Sequence, residues 1–357
     1  MTTLRLTADP AHLDDAVSRD GLARAAEMLR AGGLVALPTE TVYGLGANAL
    51  DPAAVARIFA AKERPHWDPV IVHIAGPATA DNPMLLALVT DVPEAARKLM
   101  EAFWPGPMTL LLPRSTAVPD SVTAGRTLVG IRMPAHPVAL RLIEIAQVPV
   151  AAPSANRFGH TSPTTAQHVL DDLDGRIDAI LDAGPAQHGV ESTVLDPTQT
   201  PIIVYRPGAV TLEQIRAVTG SAELFKTDKP LAAASPEALP SPGVGIRHYA
   251  PKARLYLIEG TARELPRLLA AAASEHAGER LGVLLPAEFA AAPELAGLDA
   301  VRFPWGHWTK PRELAARLYA GLRALDQAGC TVLLCPLPPA EGIGAALHDR
   351  LRKAAAH

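Results

Sequence analysis

Hydroxyls, a carboxylate and glycines follow one apolar run near the start of this chain. Residues 39–41, Thr-Glu-Thr, come directly after the run 34–37, and Gly44 and Gly46 follow them. Hydroxyls and carboxylates make directed hydrogen bonds, and glycines let a ligand or a neighbouring backbone come close. The segment predicts the polar wall of a pocket; the alternative is a polar turn with capping threonines.

Two cations follow a short helical pattern further along the chain. Lys62 and Arg64 flank Glu63, and Pro65 stops the helix, so both cations are predicted at its end. A guanidinium fork and a lysine ammonium both suit phosphate oxygens. A solvated charged face is the alternative for such a pattern. Combined with residues 39–46, the two cations predict an anion pocket.

Polar groups beside glycine or small residues recur along the chain. Arg132 ends an apolar run, where a buried cation needs a partner such as a substrate carboxylate. Residues 104–109, Trp-Pro-Gly-Pro-Met-Thr, predict a rigid turn with its tryptophan as a packing anchor. Small residues surround Ser154 and Asn156, which supply neutral hydrogen bonds. The later members of the series are Ser162, Ser192 and Arg206.

The sequence offers no convincing nucleophile with its base. Ser154 lacks the context of a nucleophile elbow, and His73 and His248 show no zinc-like spacing. His73 adjoins a predicted strand and is interpreted as a core or site-wall residue. Catalysis here would come from positioning and charge neutralisation.

The elements that position these residues alternate irregularly between strands and helices. We therefore predict an α/β fold with a mixed twisted sheet, not a regular doubly wound one. Predicted strands lie at 34–37, 70–74, 108–112, 128–131, 148–152, 177–181, 192–195 and 202–205. Predicted helices lie at 21–30, 52–61, 92–103, 137–145 and 165–170.

A change in composition divides the 357 residues. Residues 225–242 are rich in Ala, Pro, Ser and Lys without periodicity, which is typical of a linker. We predict a first domain at 1–211, a linker at 212–252 and a second, smaller α/β domain at 253–357. Predicted strands at 255–259, 281–285, 300–303 and 331–334 favour a parallel sheet there. No glycine fingerprint follows these strands, so a dinucleotide site has little support.

The composition narrows the class of protein further. A net charge of −4 argues weakly against a chain-wide basic footprint for nucleic acid. No apolar run reaches the ~18 residues of a membrane span, and residues 1–11 do not read as a secretory signal, so we predict a cytoplasmic protein. Cys330 and Cys335 point to opposite faces of a predicted strand and are interpreted as buried strand residues.

Taken in order, these segments resemble the threonylcarbamoyl-AMP synthase family, the YrdC-like proteins, in its two-domain form. The resemblance covers roughly residues 22–251 and implies a YrdC-like twisted mixed sheet with a large cavity, followed by a C-terminal Rossmann-like domain. The segments that carry it are 38–46, 62–65, 69–74, 104–109, 131–134, 153–156, 189–193 and 206–208, with 241–243 and 248–251 in the linker.

The resemblance implies an ATP-consuming nucleotidyltransferase. L-threonine, bicarbonate and ATP would give L-threonylcarbamoyladenylate and pyrophosphate, with Mg²⁺ accompanying ATP; which residues bind the metal is left open. A partner complex would then pass the threonylcarbamoyl group to an adenosine of tRNA. Direct binding of tRNA by this chain also stays open.

The resemblance implies a set of site residues. Lys62 and Arg64 would be the catalytic cations, and Arg132 would pair with the threonine carboxylate. The threonine set comprises Thr41, His73, Arg132, Ala152 and Ser192. The ATP set comprises Arg64, Asp68, Leu128, Ser154, Asn156, Ser162 and Arg206, with Leu128 contributing through its backbone.

Two positions depart from the family pattern. Asp68 stands where the family often has asparagine, and would repel phosphate unless protonated, turned away or bound to Mg²⁺. Residues 244–246, Val-Gly-Ile, replace a stretch where an aromatic side chain often approaches the nucleotide, so Ile246 would contact ATP by backbone or aliphatic surface.

Two other functions compete with this one. An RNA-binding module would grip phosphates without chemistry, and steeply salt-dependent tRNA binding without ATP turnover would identify it. A carbamoyl-transfer role in hydrogenase maturation would be expected with acylphosphatase-like and zinc-finger segments, which this sequence does not show. For the second domain, we hypothesise a gating role through residues 242–251.

Overall fold

The computed structural model describes residues 2–226 and 249–355, which form two compact units. Within the described residues, no helix is long and apolar enough to cross a membrane. The first unit comprises residues 2–158, 162–187 and 191–226, and the second comprises 159–161, 188–190 and 249–355.

One mixed sheet of eleven strands forms the centre of the first unit. Its strands are β1 (Leu4–Thr7), β2 (Val35–Leu37), β3 (Gly44–Asn48), β4 (Val72–His73), β5 (Met108–Pro113), β6 (Leu128–Arg132), β7 (Val150–Ala151), β8 (Ala179–Asp182), β9 (Thr193–Asp196), β10 (Ile202–Arg206) and β11 (Ala222–Leu224). They are ordered β1-β8-β2-β3-β7-β4-β6-β5-β9-β10-β11. Parallel pairs such as β4 with β6 alternate with antiparallel pairs such as β5 with β6, which confirms the predicted mixed sheet.

Helices pack on this sheet over two apolar clusters. They are α1 (Ala16–Arg30), α2 (Pro52–Lys62), α3 (Pro83–Leu88), α4 (Glu94–Phe103), α5 (Asp120–Thr123), α6 (Pro137–Ala146), α7 (Ala166–Leu173) and α8 (Leu212–Thr219). The limits of α2 matter most for function. Asp51 caps its first backbone N–H groups, and Glu63 ends it in the left-handed conformation at φ 55°.

Strand β3 was not predicted from the sequence, because its residues Gly-Leu-Gly-Ala-Asn carry little strand propensity. Pairing with β2 on one side and β7 on the other creates it. A Cβ on Gly46 would lie 2.7 Å from Leu37 Cδ2 and 2.8 Å from Val150 Cγ1. Gly46 is therefore required by the neighbouring strands.

The predicted linker at 212–252 contains regular structure at its start. Helix α8 begins with a capping box between Thr211 and Gln214, and β11 pairs in parallel with β10. Residues 227–248 lie outside the described residues, and with them the linker motif 241–243, Ile246 and His248. The domain limits predicted from the sequence remain a proposal.

The second unit contains a four-stranded parallel sheet, as predicted. Cys330 and Cys335 are buried free thiols, which also agrees with the prediction. The strands are β12 (Arg254–Ile258), β13 (Leu281–Pro286), β14 (Val301–Gly306) and β15 (Val332–Pro336), ordered β12-β15-β13-β14. The helices are α9 (Leu265–Glu275), α10 (Pro311–Gln327) and α11 (Gly344–Ala355), with 3-10 turns η1 (Ala287–Phe289) and η2 (Pro293–Leu295).

Candidate active site

Thr39 organises the loop between β2 and β3. Its hydroxyl donates to the Val42 carbonyl at 2.6 Å and accepts from the backbone N–H groups of Thr41 and Val42, each at 3.2 Å. Because that donor is used, the 2.8 Å contact between the two threonine hydroxyls has Thr41 donating to Thr39. The Thr41 oxygen is thereby oriented to accept hydrogen bonds.

Arg132, at the end of β6, is held by three acceptors. Its Nη1 donates to Thr41 Oγ1 at 2.9 Å, its Nε to the Gly106 carbonyl at 3.2 Å, and its Nη2 to Glu40 Oε1 at 2.5 Å. A guanidinium has five N–H groups, so each terminal nitrogen of Arg132 keeps one N–H beyond these contacts. The arrangement fixes the fork and leaves donors for a carboxylate ligand.

Glu40 is a buried carboxylate that stays ionised. Burial acts against its charge, but the Arg132 guanidinium and backbone N–H groups of Glu40 and Ala135 outweigh burial and lower its pKa. Glu40 Oε2 has no hydrogen-bond partner among the described residues. The pair of Arg132 and Glu40 is therefore ionised, and within the described part of the chain one oxygen of Glu40 lacks a hydrogen bond.

His73 lies beside Arg132 in the sheet. The two residues are in register between β4 and β6, and Val150 pairs with His73 on the other side. Burial, followed by the charge of Arg132, lowers the pKa of His73 to about 3. Its Nδ1 has no hydrogen-bond partner among the described residues. His73 is thus a neutral imidazole with an unused polar atom.

At the end of α2, the charged side chains of Lys62, Glu63 and Arg64 point in different directions. Glu63 faces outward and pairs with Arg157 and Arg176. Lys62 is only 1% exposed and Arg64 only 7%. The solvated charged face considered from the sequence is therefore wrong, since both cations point inward.

Lys62 holds the loop that follows β7. Its ammonium donates to the carbonyls of Ser154, at 2.5 Å, and Asn156. Burial, and next the nearby charge of Arg64, lowers the pKa of Lys62 well below its usual range. A phosphate placed here would favour the charged form again.

Arg64 forms a second buried ion pair, with Asp68. Arg64 Nη2 lies 2.9 Å from Asp68 Oδ2 and donates to the Pro69 carbonyl at 2.8 Å. Burial raises the pKa of Asp68 even though Arg64, Lys62 and Arg206 each oppose the rise. Asp68 Oδ1 has no hydrogen-bond partner among the described residues. Asp68 is not turned away from the cations.

Ser192 connects two groups of predicted site residues. Its hydroxyl lies 2.8 Å from Thr109 Oγ1 and accepts from Arg206 Nη2 at 3.0 Å. Arg206 Nε also donates to the Ser192 carbonyl at 3.0 Å. A residue of the threonine set therefore contacts an arginine of the ATP set. Glu191, which precedes Ser192, accepts a hydrogen bond at Oε1 from the Ser162 hydroxyl.

The loop after β7 places three more predicted residues. Ala152 donates its N–H to the Ile71 carbonyl at 2.8 Å, and its Cβ would lie 3.2 Å from a Cβ on Gly44. Ser154 bridges to the backbone of Gly44. Asn156 donates to the Arg157 carbonyl at 2.8 Å. Small residues on both strands keep this region narrow.

Leu128 is separate from the charged residues. It begins β6, at the opposite end from Arg132, and packs against the apolar cluster of Ile71, Leu111 and Val194. A strand advances about 3.3 Å per residue, so some 13 Å of backbone separates Leu128 from Arg132. The described contacts bring Leu128 to no other predicted site residue.

Three polar residues join the site that the sequence prediction did not include: Glu40, Thr109 and Glu191. Each stands next to or within one of the sequence motifs named above, and that position was the signal in the sequence that could have indicated it. Their partners, Arg132, Ser192 and Ser162, lie far away in sequence. Only the sheet brings the pairs together.

Among residues 2–226 and 249–355, no group of three side chains of the metal-binding types converges. Among these same residues, Asp68 Oδ1 is a buried carboxylate oxygen beside the predicted phosphate cations that has no hydrogen-bond partner. Mg²⁺ in nucleotide sites is held by one or two carboxylates plus substrate phosphates, so a single oxygen fits that pattern.

Fold and site together define a class of protein. It is an α/β protein in which an oriented arginine ends β6 and buried cations lie at the ends of α2 and β10, with Ser192 in contact with both Thr109 of β5 and Arg206. Such a site is suited to bring a carboxylate-bearing ligand next to a phosphate-bearing one.

The comparisons with known proteins agree with this class. The Sua5/YciO/YrdC family model, described as telomere recombination, matches residues 27–208, and the model of the threonylcarbamoyl-AMP synthase C-terminal domain matches 210–356. This chain therefore belongs to the threonylcarbamoyl-AMP synthase family, as the sequence motifs predicted.

Individual relatives are similar over nearly their whole length. The threonylcarbamoyl-AMP synthase of Pyrococcus abyssi is 42% identical over 93% of this chain and 93% of its own length. That of Bacillus subtilis is 44% identical over 94% of this chain and 92% of its own. The crystal structure of P. abyssi Sua5 complexed with L-threonine matches with a TM-score of 0.88 and 39% identity, covering 99% of this chain and 98% of that one.

Proposed function

We propose that this protein joins L-threonine, bicarbonate and ATP into L-threonylcarbamoyladenylate and releases pyrophosphate. The observation that carries the proposal is that Ser192, a residue of the predicted threonine set, accepts a hydrogen bond from Arg206 of the predicted ATP set. This contact supports a carboxylate site and a phosphate site that lie close to each other. Family membership supplies the substrates.

Threonine binds with its carboxylate on Arg132. The N–H groups left on its two terminal nitrogens suit a carboxylate, and Thr41 and Glu40 hold the fork in place. The unpaired Nδ1 of the neutral His73 forms a hydrogen bond with the threonine hydroxyl. Valine would leave that buried atom unpaired, which disfavours it more than loss of an apolar contact would.

ATP binds along Lys62, Arg64 and Arg206. All three are buried, and their charges favour the ionised form of Asp68 in the free protein. The triphosphate neutralises the positive charge that Asp68 leaves uncompensated. Ser154 and Asn156 lie on the loop that Lys62 holds, and Ser162 follows in sequence. Leu128 would contribute through its backbone, since its side chain packs against the apolar cluster of Ile71, Leu111 and Val194.

The chemistry needs no covalent enzyme intermediate. The threonine amine adds to bicarbonate, losing water, and gives a carbamate; a carbamate oxygen then attacks the α-phosphorus as the bond to pyrophosphate breaks. Negative charge accumulates on the phosphate oxygens, where Lys62 and Arg64 lie. Fixed cations in a site closed to water stabilise such charge, and holding both substrates in contact lowers the entropic part of the barrier.

Mg²⁺ enters with ATP as part of the substrate and supplies further neutralisation of the triphosphate. Asp68 Oδ1 is the protein oxygen available to it. The product passes to a complex that modifies an adenosine of tRNA. Whether this chain binds tRNA itself stays open, and the cytoplasmic location remains a prediction.

The experiment is a turnover assay on the full chain. Purified protein receives threonine, bicarbonate, Mg²⁺ and ATP; pyrophosphate is followed over time, and the adenylate is identified by mass spectrometry. We expect pyrophosphate release that depends on threonine and is much weaker with valine. Release no greater than in the threonine-free control would contradict the proposal, as would tRNA binding with a steep salt dependence and no turnover.

A further inference from the structure

The second unit contains a cavity of about 730 Å³ that the proposed reaction does not use. Ligand cavities in proteins usually measure ~300–1,000 Å³. Its walls come from the ends of β13 and β14, the turn after β13 and helix α10. Every lining residue is described and belongs to this unit.

The topology creates this opening. Strands β13 and β14 are parallel neighbours. The segment after β13 packs with α9 on one face, since Leu285 and Phe289 share a core with Leu269. Helix α10 follows β14 and packs on the other face, where Gly321 lies against Leu284. Neighbouring parallel strands whose connections leave on opposite faces open a crevice at their carboxyl ends, where α/β sheets bind ligands.

Most of the lining is small or apolar. Leu285, Ala287 and Ala290 contribute from β13 and the turn after it, Pro304 from β14, and Ala316 from α10. Residues 286–290, Pro-Ala-Glu-Phe-Ala, contain no glycine, so the backbone does not approach a pyrophosphate as in dinucleotide sites. The lining suits the apolar or planar body of a smaller molecule.

Two exposed arginines supply positive charge to the same cavity. Arg302 Nη2 donates to the carbonyls of Leu295, at 2.6 Å, and Leu298, at 3.3 Å. Arg317 Nε donates to the Pro304 carbonyl at 2.9 Å, and its guanidinium lies 5.3 Å from the centre of the Phe303 ring. Within the described residues neither is in an ion pair, and Arg317 keeps both terminal nitrogens for a ligand.

The one carboxylate in the lining is already compensated. Glu313 Oε2 lies 2.7 Å from His307 Nδ1, and Oε1 lies 3.0 Å from Lys310 Nζ. Hydrogen bonds from His307 and Lys310 lower the pKa of Glu313 to about 2, so it remains ionised and paired. The excess charge of the cavity is therefore that of the two arginines.

We propose that this cavity binds an amphipathic anion, a small molecule with an apolar or aromatic body and one anionic group held by the terminal nitrogens of Arg317, with Arg302 adding positive charge to the same cavity. A guanidinium binds carboxylate, phosphate and sulfonate groups by the same paired N–H donors. The site is independent of the one in the first unit.

The test is a fluorescence titration of the full chain with anilinonaphthalenesulfonate, an amphipathic anion. The double variant R302Q/R317Q removes both charges, and Ala290→Phe fills the apolar part while keeping the arginines. Arg312→Gln is the matched control, because Arg312 is exposed on the same helix and does not line the cavity. Circular dichroism melting of each variant checks the fold.

We expect saturable binding that is weakened about tenfold or more in R302Q/R317Q and in Ala290→Phe, and unchanged in Arg312→Gln. Equal affinity of wild type and the double variant would overturn the proposal, as would an equal loss in Arg312→Gln. Competition with AMP and with decanoate then distinguishes a phosphate on a planar base from a carboxylate on an acyl chain.

Discussion

Two buried arginine–carboxylate pairs in the first unit look alike but respond oppositely to burial. The side chains of Arg132 with Glu40 and of Arg64 with Asp68 are each at most 5% exposed, and each carboxylate has one oxygen without a hydrogen-bond partner among the described residues. Yet the pKa of Glu40 is lowered and that of Asp68 is raised. Glu40 has backbone N–H donors that help to overcome burial, whereas burial prevails at Asp68 despite three nearby cations.

The difference shows that charged partners alone do not keep a buried carboxylate ionised. Hydrogen-bond donors aimed at the carboxylate decide whether it stays ionised, because hydrogen bonds to the charged form lower its free energy. The Arg132 pair is held in a fixed position, as the proposed threonine site requires. The Arg64 pair is less well compensated and is therefore easier to rearrange when phosphate arrives.

The largest expected effect comes from Arg132→Leu. Glu40 would be left as an uncompensated buried charge, so the free energy of unfolding should fall by about 3–5 kcal/mol, and threonine-dependent turnover should be lost. Urea denaturation and pyrophosphate release measure the two effects. The double variant R132L/E40L should be more stable than R132L; the reverse order would contradict a firmly charged Glu40.

Arg64→Leu should destabilise less, by about 1–3 kcal/mol, since Asp68 can take up a proton. A carboxyl whose folded pKa is raised stabilises the fold fully below its unfolded pKa and loses that contribution as pH rises through the folded value. The cost of Arg64→Leu should therefore be greater at pH 8 than at pH 4, near the ordinary pKa of an Asp carboxyl. Denaturation at both pH values measures it; a constant cost equal to that of Arg132→Leu would remove the contrast between the pairs.

The pH dependence of stability tests whether His73, which lies beside Arg132, is held neutral. Its folded pKa of about 3 lies below the usual ~6.5, so its contribution is present above pH ~6.5 and is lost as pH falls towards 3. Between pH 7.5 and pH 5 this loss is about 2 kcal/mol. In His73→Gln, which cannot titrate, the decrease in unfolding free energy over that interval should be smaller by this amount. An identical decrease in both proteins would show that His73 is not held neutral.

Asp68→Asn should give the smallest change, because it removes one negative charge beside the phosphates and keeps the shape. We expect the KM for ATP to fall roughly threefold, with the KM for threonine unchanged. Glu63→Gln is the control, since Glu63 points outward to Arg157 and Arg176 and should leave both constants unchanged. A higher KM for ATP with a greater need for Mg²⁺ would instead assign Asp68 to the metal.

The sequence predicted the general site better than its internal contacts. Thr41, Arg132 and Ser192 were expected in one place from their motifs, and the structure links Arg132 to Thr41 directly. The partners Glu40, Thr109 and Glu191 were missed, because a hydrogen bond between residues on different strands leaves no local pattern in the chain. Leu128 was included by resemblance alone, for its backbone; its partly buried side chain packs against an apolar cluster, and the backbone role stays a prediction.

By itself, the sequence determined which chemical groups this protein has and in what order, because helix caps, strand-forming runs and small-residue loops act over short distances. It therefore specified an α/β protein with cations after α2 and an arginine at the end of β6. Tertiary structure decided which charges are buried and which group neutralises which. Those outcomes depend on the register and order of strands distant in sequence, and they separate an outward Glu63 from the inward Lys62 and Arg64 beside it.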